Sequence, residues 1–286
     1  MVGTSRPVDV RALGMRRDYW VLHCTVASAP HSLLVKLAGP DCPFPLDFAR
    51  TGAVTARAAA AGVPVAKVFA SDDSYSAGPW RYLIQEFVAG HEWRHVRPTL
   101  SVAGAAAAYA QLADVMVALR SVTFGGFGPL GRDASPTSAL NLLSGLEQRA
   151  ETNVPDKRKA AAFMALLRRE IQLFSPAGPA SLCHDDLHHR NIIFDGSGDD
   201  ARLRAVLDWD KAWSGPHESD IARMALWDDM TEPSFWSSYR QRCPPTEGEA
   251  HRRLIYQLLW CLEYDVATSR HRSDTERLAN RLDVRL

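Results

Sequence analysis

Residues 184–191 read HDDLHHRN and residues 207–210 read LDWD, and these two short stretches decide how the rest of the chain is interpreted. Asp186 and Asn191 lie in the first stretch, and Asp208 follows the apolar run Ala-Val-Leu in the second. Carboxylate and amide oxygens are the ligands that Mg²⁺ prefers in proteins. The two stretches therefore predict a metal-dependent site built from one loop and the end of one strand.

The first stretch has the spacing H-x-D-L-x-x-x-N, which is typical of catalytic loops that transfer phosphoryl groups. In such a loop the Asp accepts the proton of the substrate hydroxyl and the Asn binds a metal ion. Asp186 is therefore the predicted catalytic base, and Asn191 and Asp208 are the predicted Mg²⁺ ligands. Asp210 lies close enough in sequence to assist Asp208. The alternative interpretation of Asp208 is an aspartate that only caps a turn.

Three histidines flank the predicted base. His184 stands at the start of the loop, where a histidine packs inward and hydrogen-bonds the backbone more often than it acts as a base. His188 and His189 are adjacent, so their side chains point apart in an extended loop, and Mg²⁺ prefers oxygen ligands. We therefore expect His184 to brace the loop and the other two histidines to stay off the metal.

The composition is that of an ordinary globular protein, with 23% charged and 46% hydrophobic residues among 286. Lys and Arg total 33, as do Asp and Glu, so no long-range field favours nucleic acid or an anionic membrane. The five cysteines are widely spaced, which indicates neither a disulfide framework nor a zinc site. The most apolar stretch, residues 102–119, is interrupted by Gln111 and Asp114. We expect a cytoplasmic protein without a membrane span.

Strand-like runs precede Gly90, and helical patterns dominate after it. One helix is predicted at residues 48–61, since Gly62 and Pro64 follow it. Strands first and helices later is the segregated α+β layout. The predicted strands are residues 8–13, 19–26, 32–37, 65–69, 82–87, 191–194 and 204–207, and residues 124–131 are a predicted glycine-rich loop.

The two stretches resemble the motifs of the aminoglycoside phosphotransferase and choline kinase family, in which HGDLHxxN precedes a strand ending in D-W and then G-x-x-x-x-D-[IL]-A. This chain has HDDLHHRN, LDWD and, at residues 215–222, GPHESDIA. The resemblance covers most of the chain. It implies a protein-kinase-like fold of two lobes: a nucleotide-binding lobe at residues 1–84, a hinge at 85–90, and a helical lobe at 91–286 with the catalytic loop and acceptor site.

The resemblance also assigns roles to single residues around the nucleoside triphosphate, ATP or GTP. It implies that Lys36, in the run LLVKL, contacts the α- and β-phosphates; the alternative is an exposed lysine on an edge strand. At the hinge it implies that the Glu86 carbonyl and the Val88 amide bond the adenine edge. Asp220 is implied to brace the catalytic loop.

The phosphate-covering loop, residues 13–18, departs from the family in having one glycine, Gly14, where two are common. A cradle of backbone amides is therefore less assured, and Arg16 or Arg17 is expected to contribute charge instead.

Two further departures concern charged residues. Thr51 occupies the place of a helix glutamate that usually pairs with the lysine, and Asp47, one turn earlier, is the nearest substitute. Asp185 replaces the glycine beside the base. A second carboxylate there either raises the pKa of Asp186 or points to solvent, and we expect solvent.

The acceptor pocket of the family lies in the helical lobe, where cationic substrates meet acidic side chains. The alternative for acids in this lobe is a solvated helix face, and for each tryptophan a place in the core. The other expectation for the tryptophans is that some of the rings stack on a planar ring or a quaternary ammonium ion of the substrate. The candidate acceptor residues are Trp227, Asp228, Asp229, Glu263 and Asp265.

These observations favour an enzyme that moves the γ-phosphoryl of ATP or GTP, with Mg²⁺, to a hydroxyl of an antibiotic or similar natural product, conferring resistance. A metabolic kinase of choline, a sugar or a nucleoside is the alternative. A third interpretation is a nucleotide-binding protein that has lost catalysis. Thr51 in place of the helix glutamate and the loop with a single glycine are the changes that we expect in such a protein. A protein substrate is disfavoured because D-F-G and A-P-E segments are lacking. The sequence leaves the choice of ATP or GTP and the oligomeric state open.

Overall fold

Five antiparallel strands form one sheet in the computed structural model, which describes residues 8–27, 32–174, 178–196, 198–264 and 268–286. They are β1 (Val8–Arg16), β2 (Tyr19–Val26), β3 (Leu33–Ala38), β4 (Val68–Asp72) and β5 (Arg81–Glu86), paired in the order β1-β2-β3-β5-β4.

The predicted strands of this sheet are confirmed except for the fourth, which was expected at residues 65–69 and lies three residues later. Val65 instead forms a parallel bridge with Val206, and the Val206 amide donates to the Pro64 carbonyl at 2.8 Å. This segment therefore ties the sheet to the helical part of the chain.

Helix α1 (Phe48–Ala60) packs on β4 and β5. Asp47 caps its start by accepting the Arg50 amide at 3.0 Å, and Gly62, with φ of 90°, follows its end. The predicted helix is thus confirmed to within one residue. Its buried face consists of Phe48, Thr51, Val54, Thr55 and Ala58.

Helices dominate the chain beyond residue 90, which confirms the α+β layout. The α-helices are α2 (Trp93–Val96), α3 (Val102–Ser121), α4 (Leu142–Asn153), α5 (Lys157–Arg169), α6 (Glu218–Met224), α7 (Pro233–Arg240), α8 (Glu249–Leu262) and α9 (Ser269–Arg281). The strands are β6 (His91–Glu92), β7 (Thr123–Phe124), β8 (Gly128–Pro129), β9 (Ala180–Cys183), β10 (Ile192–Asp195), β11 (Arg202–Val206) and β12 (Trp213–Gly215). They form two small sheets, ordered β11-β10-β6 and β7-β9-β12-β8.

Helix α3 is long and apolar enough to cross a membrane by length and composition, yet half of its most apolar window is buried inside the protein. Tyr109, Leu112 and Met116 belong to the main core, and the helix lies against α7, β9 and β11. Its apolar character is that of a core helix.

The β10–β11 hairpin positions the two stretches that opened the sequence. Ile192 pairs with Val206 in its register, and the Leu207 amide donates to the Asn191 carbonyl at 2.8 Å. The end of the catalytic loop and the start of LDWD are therefore adjacent. Val54 and Ala58 of α1 share one core with Leu187 and Trp209, so the sheet and the helical part pack together around the site.

Candidate active site

His184 fixes the catalytic loop from inside. The side chain is fully buried; its Nε2 donates to the Leu207 carbonyl at 2.8 Å and its Nδ1 accepts the Asp186 amide at 3.1 Å. Burial lowers the pKa of His184. The neutral ring thus joins the catalytic loop to the end of β11, and the predicted bracing role agrees with this geometry.

Asp220, on α6, braces the same loop from the other side. Its carboxylate accepts the backbone amides of His184 at 2.8 Å and of Asp185 at 2.7 Å. Burial, with the charge of Asp185, raises the pKa of Asp220 to about 7. The carboxylate secures Asp185 in the left-handed backbone region, with φ of 64°, and so fixes the turn that leads into Asp186.

Asp185 does not point to solvent, so that prediction is wrong. Only 5% of the residue is exposed, and its Oδ2 lies 2.5 Å from Arg149 Nη2. Helix α4 brings Arg149 from the preceding part of the chain, and the guanidinium also pairs with Glu263 at 2.6 Å and stacks 4.5 Å from the Trp213 ring centroid. The second carboxylate is therefore neutralised by a buried arginine that the local sequence could not reveal.

Asp186 lies between two cations. Arg223 Nη2 donates to its Oδ1 at 2.8 Å, and Lys211 Nζ lies 3.3 Å from its Oδ2. Burial by itself would raise the pKa of Asp186, but the charges of Lys211 and Arg223 outweigh it and lower the pKa. The carboxylate is ionised at neutral pH, which contradicts a raised pKa. Sequence reasoning missed both partners; the only signals were a lysine next to LDWD and an arginine inside the otherwise apolar run IARMALW at residues 221–227.

Asn191 and Asp208 offer oxygen ligands on opposite sides of the hairpin end. Asn191 Nδ2 donates to the Asp186 carbonyl at 3.0 Å, so the amide oxygen lies on the other side of the carboxamide carbon. Asp208 adopts φ of 69°, and 44% of its side chain is exposed. Among the described residues no three acids, histidines or cysteines cluster as a metal cage. Magnesium at nucleotide sites needs only one or two carboxylates besides phosphates and water, so this donor set fits it.

Lys36 is buried, at 7% exposure, and its ammonium is held by two carboxylates: Asp208 at 2.6 Å and Asp210 at 2.7 Å. Burial would lower the pKa of Lys36, but the two carboxylates outweigh it and raise the pKa. Lys36 is therefore not an exposed edge-strand lysine.

Helix α1 holds Asp210 in turn. Thr51 Oγ1 donates to Asp210 Oδ1 at 2.8 Å, and Arg50 Nη2 donates to the Asp210 carbonyl at 2.8 Å. The expectation that Asp47 substitutes for a helix glutamate is wrong, because Asp47 caps α1 and pairs with Arg132 at 3.1 Å. Thr51, which stands in place of the helix glutamate, therefore contacts Asp210, the partner of Lys36, and not Lys36 itself.

The predicted covering loop lies at the β1 edge of the N-terminal sheet, and the predicted hinge follows β5, which lies between β3 and β4. Gly14 lies in exposed β1, at a break in the pairing with β2. Glu86 ends β5, and Val88 follows it before Gly90. A Cβ on Gly90 would lie 2.5 Å from the Phe194 carbonyl oxygen, so this close approach requires glycine where the connection meets β10.

A cavity of about 670 Å³ opens beside the catalytic loop. Asp185 and Lys211 line the end nearest Asp186, and Glu263 lines it from the end of α8. A second cavity, of about 300 Å³, is lined by His188, His189 and Trp227 among others. Two of the predicted acceptor residues, Glu263 and Trp227, thus line these cavities.

The remaining acceptor candidates lie elsewhere. Asp228 and Asp229 line a third cavity, of about 180 Å³, with Arg97 and Arg270. Asp228 pairs with Arg270 at 2.6 Å. Asp265 lies outside the described residues.

A model of the phosphotransferase enzyme family matches residues 16–247. The complex of a thermostable mutant of aminoglycoside phosphotransferase APH(4)-Ia with ADP and hygromycin B is similar, with a TM-score of 0.68 and 18% identity over 96% of this chain and 92% of that chain. Choline kinase LicA from Streptococcus pneumoniae has a TM-score of 0.60 and 16% identity, over 96% and 93%. The complex of APH(2″)-IIa with streptomycin and ATP has a TM-score of 0.60 and 13% identity, over 95% and 91%.

No protein of curated function matches the sequence. At these identities the solved structures show the fold, which is the kinase-like fold of two lobes expected from the sequence. The family match spans most of the chain and includes the catalytic loop, Asp208 and Asp220. The chain therefore belongs to the phosphotransferase enzyme family and is a phosphotransferase that acts on hydroxyl groups.

Proposed function

We propose that this enzyme moves the γ-phosphoryl of ATP or GTP to a hydroxyl of a small natural product, with an antibiotic as the leading acceptor and resistance as the role. One observation carries the proposal. The ionised Asp186 carboxylate, fixed between Arg223 and Lys211, stands beside a cavity of about 670 Å³ and next to the oxygen ligands Asn191 and Asp208. A cavity of that volume holds a drug-sized molecule.

Asn191 and Asp208 would hold Mg²⁺, and Lys36 would contact the α- and β-phosphates. When bound, the metal neutralises charge on the β- and γ-phosphates. Asp208 suits the role of ligand because its side chain is 44% exposed, whereas that of Asp210 is 16% exposed and bonded to Thr51. Asp210 is therefore the carboxylate that keeps Lys36 in place.

Asp186 acts as the base. Its carboxylate accepts the proton of the acceptor hydroxyl while the hydroxyl oxygen forms a bond to the γ-phosphorus, and the bond from that phosphorus to the bridging β–γ oxygen breaks. The nucleoside diphosphate leaves with the electron pair of that bond. Arg223 stays on Oδ1, so the orientation of the carboxylate is kept while the acceptor approaches the other oxygen.

The nucleotide base would lie at the hinge, against the Glu86 carbonyl and the Val88 amide, with β1 and Gly14 covering the phosphates. Contacts through backbone groups are compatible with adenine and with guanine, so both donors belong in the test. The departure at Gly14 leaves Arg16 or Arg17 to supply charge near the phosphates.

Proteins of similar fold support the acceptor class, because two of them were solved with hygromycin B or streptomycin bound. Choline kinase LicA supports the metabolic alternative. Growth inhibition of cells that express the chain separates the two roles. Loss of potency for at least one antibiotic class is the expected result, and unchanged potency for every class removes the resistance role.

The direct test is a nucleotide-release screen with Mg²⁺, ATP and GTP against a library of antibiotics and alcohols. Asp186→Asn should lower acceptor-dependent turnover by about 10²–10⁴-fold, the range of general-base catalysis, with Mg·ADP affinity largely kept. Asp195→Asn is the matched control, since Asp195 is 44% exposed on β10 and pairs only with Arg204 among the ion pairs of the described residues. Turnover of Asp186→Asn equal to that of the control would remove Asp186 from the mechanism.

A further inference from the structure

The aromatic side chains that would attract a cationic acceptor already hold a cation of the protein. The Arg223 guanidinium lies 3.2 Å from the Trp260 ring centroid and 5.1 Å from that of Trp227. Only 2% of Arg223 is exposed, and Asp186 fixes it at 2.8 Å. Aromatic cages bind quaternary ammonium groups through the same ring faces. One face of the Trp260 ring is therefore covered by an internal arginine, which also supplies the positive charge nearest Trp227.

Two acids of the larger cavity, Glu263 and Asp185, are likewise paired with an arginine. Arg149 Nε and Nη2 donate to the two oxygens of Glu263, each at 2.6 Å, and Nη2 also lies 2.5 Å from Asp185. Arg149 itself lines the cavity together with Arg50 and Lys211. Asp210, the third acid of this cavity, pairs with Lys36 at 2.7 Å. Each carboxylate that could attract a positively charged acceptor is therefore already paired with a cation of the protein.

Neutral hydrogen-bonding groups line the same cavity beside aromatic rings. Gln148, Thr152 and Asn153 contribute amide and hydroxyl groups from α4, and Trp260 and Tyr264 contribute rings. Polar groups placed among apolar and aromatic surfaces are the usual lining of small-molecule sites, and the neutral ones bond hydroxyl groups without requiring charge on the ligand. This lining suits a hydroxylated ring compound without charge.

The smaller cavity shares Trp260 and Tyr264 with the larger one, so the two cavities meet at this aromatic wall. Three of its other rings lie edge-to-face: Trp227 lies 5.0 Å from His189 and 5.4 Å from His188, centroid to centroid. An aromatic ring of a ligand can pack on such rings edge-to-face or offset-stacked, which are the arrangements that aromatic pairs prefer.

We propose that the smaller cavity receives a planar, uncharged group of the acceptor, whose hydroxylated part lies in the larger cavity beside Asp186. The acceptor is then a neutral hydroxylated compound that carries a planar ring, and neither a polycation nor a quaternary ammonium alcohol. This inference rests on the proposed phosphotransfer to a small molecule and narrows its acceptor class.

Ligand-observed NMR with the enzyme loaded with Mg·ADP tests the proposal with four probes: 2-naphthol, cyclohexanol, choline and hygromycin B. We expect 2-naphthol to bind with a dissociation constant on the order of 1 mM, as a fragment of this size does in a shaped cavity, and at least about tenfold tighter than cyclohexanol. Choline and hygromycin B should bind more weakly than 2-naphthol. His189→Ala should weaken 2-naphthol binding about fivefold or more, by removal of one wall.

His95→Ala is the matched control, because His95 is exposed on α2 and lines neither cavity. It should leave the affinity for 2-naphthol unchanged. Tighter binding of choline or hygromycin B, no preference for the planar probe, or equal effects of the two histidine variants would overturn the proposal. Failure of the proposed function appears separately, as wild-type enzyme that does not bind Mg·ADP or turn over ATP or GTP.

Discussion

Replacing Thr51 by valine tests how Lys36 is held. The Thr51 hydroxyl donates to Asp210 at 2.8 Å, and Asp210 holds Lys36 at 2.7 Å. In the proposed mechanism Asp208 holds the metal, which leaves Asp210 as the carboxylate that keeps the ammonium in place. Thr51→Val keeps the shape of the side chain and removes the hydrogen bond, so Asp210 loses its tie to α1.

The size of the effect follows from the type of bond. A hydrogen bond to a charged group contributes about 1.5–3 kcal/mol, and about 1.4 kcal/mol corresponds to a factor of ten. Because Thr51 is 2% exposed, water cannot replace the lost donor without rearrangement. If the loss of this hydrogen bond displaces Lys36, kcat/KM for the nucleotide should fall about 10- to 100-fold.

Thr55→Val is a matched control within the same helix. Both threonines bond the carbonyl one turn earlier, Thr51 to Asp47 at 3.0 Å and Thr55 to Thr51 at 2.7 Å, and both are buried. Only Thr51 also reaches a carboxylate. Initial rates of ATP and GTP hydrolysis with Mg²⁺ give kcat/KM, and urea unfolding gives the stability of each variant. If Thr51→Val and Thr55→Val lower kcat/KM equally, Lys36 is not positioned through Asp210.

Two further predictions concern the charges around the catalytic loop. Arg223→Gln removes a cation from Asp186, so the pKa of Asp186 should rise and the acid limb of the pH–rate profile should move to higher pH by about one unit. Arg223→Lys keeps the charge and should move the acid limb less. An acid limb that does not move in Arg223→Gln would contradict this prediction. Burial and Asp185 raise the pKa of Asp220 to about 7. Between about pH 4, where the group titrates in the unfolded chain, and pH 7, the folded protein therefore binds one proton more at Asp220 than the unfolded chain does. The stability that this proton contributes falls as the pH rises. The unfolding free energy of the wild type should therefore fall by up to about 3 kcal/mol more than that of Asp220→Asn between pH 5 and pH 8, as measured with urea, and parallel pH profiles would refute the shift.

The elements that could be predicted from the sequence are those with strong local patterns. Helix α1 was bounded by Gly62 because a left-handed glycine ends a helix. Strand β4 was misplaced because an apolar run does not reveal that Val65 bridges to distant Val206. Strand β7 overlaps the start of the stretch predicted as a glycine-rich loop, and β8 lies within it. Both strands have two residues and depend on pairing with β9 and β12, which a local pattern does not reveal.

In the candidate site, too, the residues that could be predicted are those in local patterns. Asp186, Asn191 and Asp208 were found because fixed spacing in a loop and hairpin is a local property of the sequence. Arg149 and Arg223 were not found, because an ion pair between a helix and a distant loop depends on packing. The error at Asp185 follows from this: without Arg149 a second carboxylate beside the base belongs in solvent, and with it the carboxylate is stable at 5% exposure.

Thr51 bears on whether this chain has lost catalysis. A buried lysine needs a counter-charge, since an unpaired ammonium at 7% exposure would be strongly destabilising. Asp210 provides that counter-charge, and the hydrogen bond from Thr51 holds Asp210 in place. A glutamate at position 51 would add a further negative charge beside Asp210. Lys36 thus keeps a carboxylate partner even when Asp208 is given to a metal. A threonine here is compatible with a working site, so its presence alone is no reason to read the chain as an inactive nucleotide-binding protein.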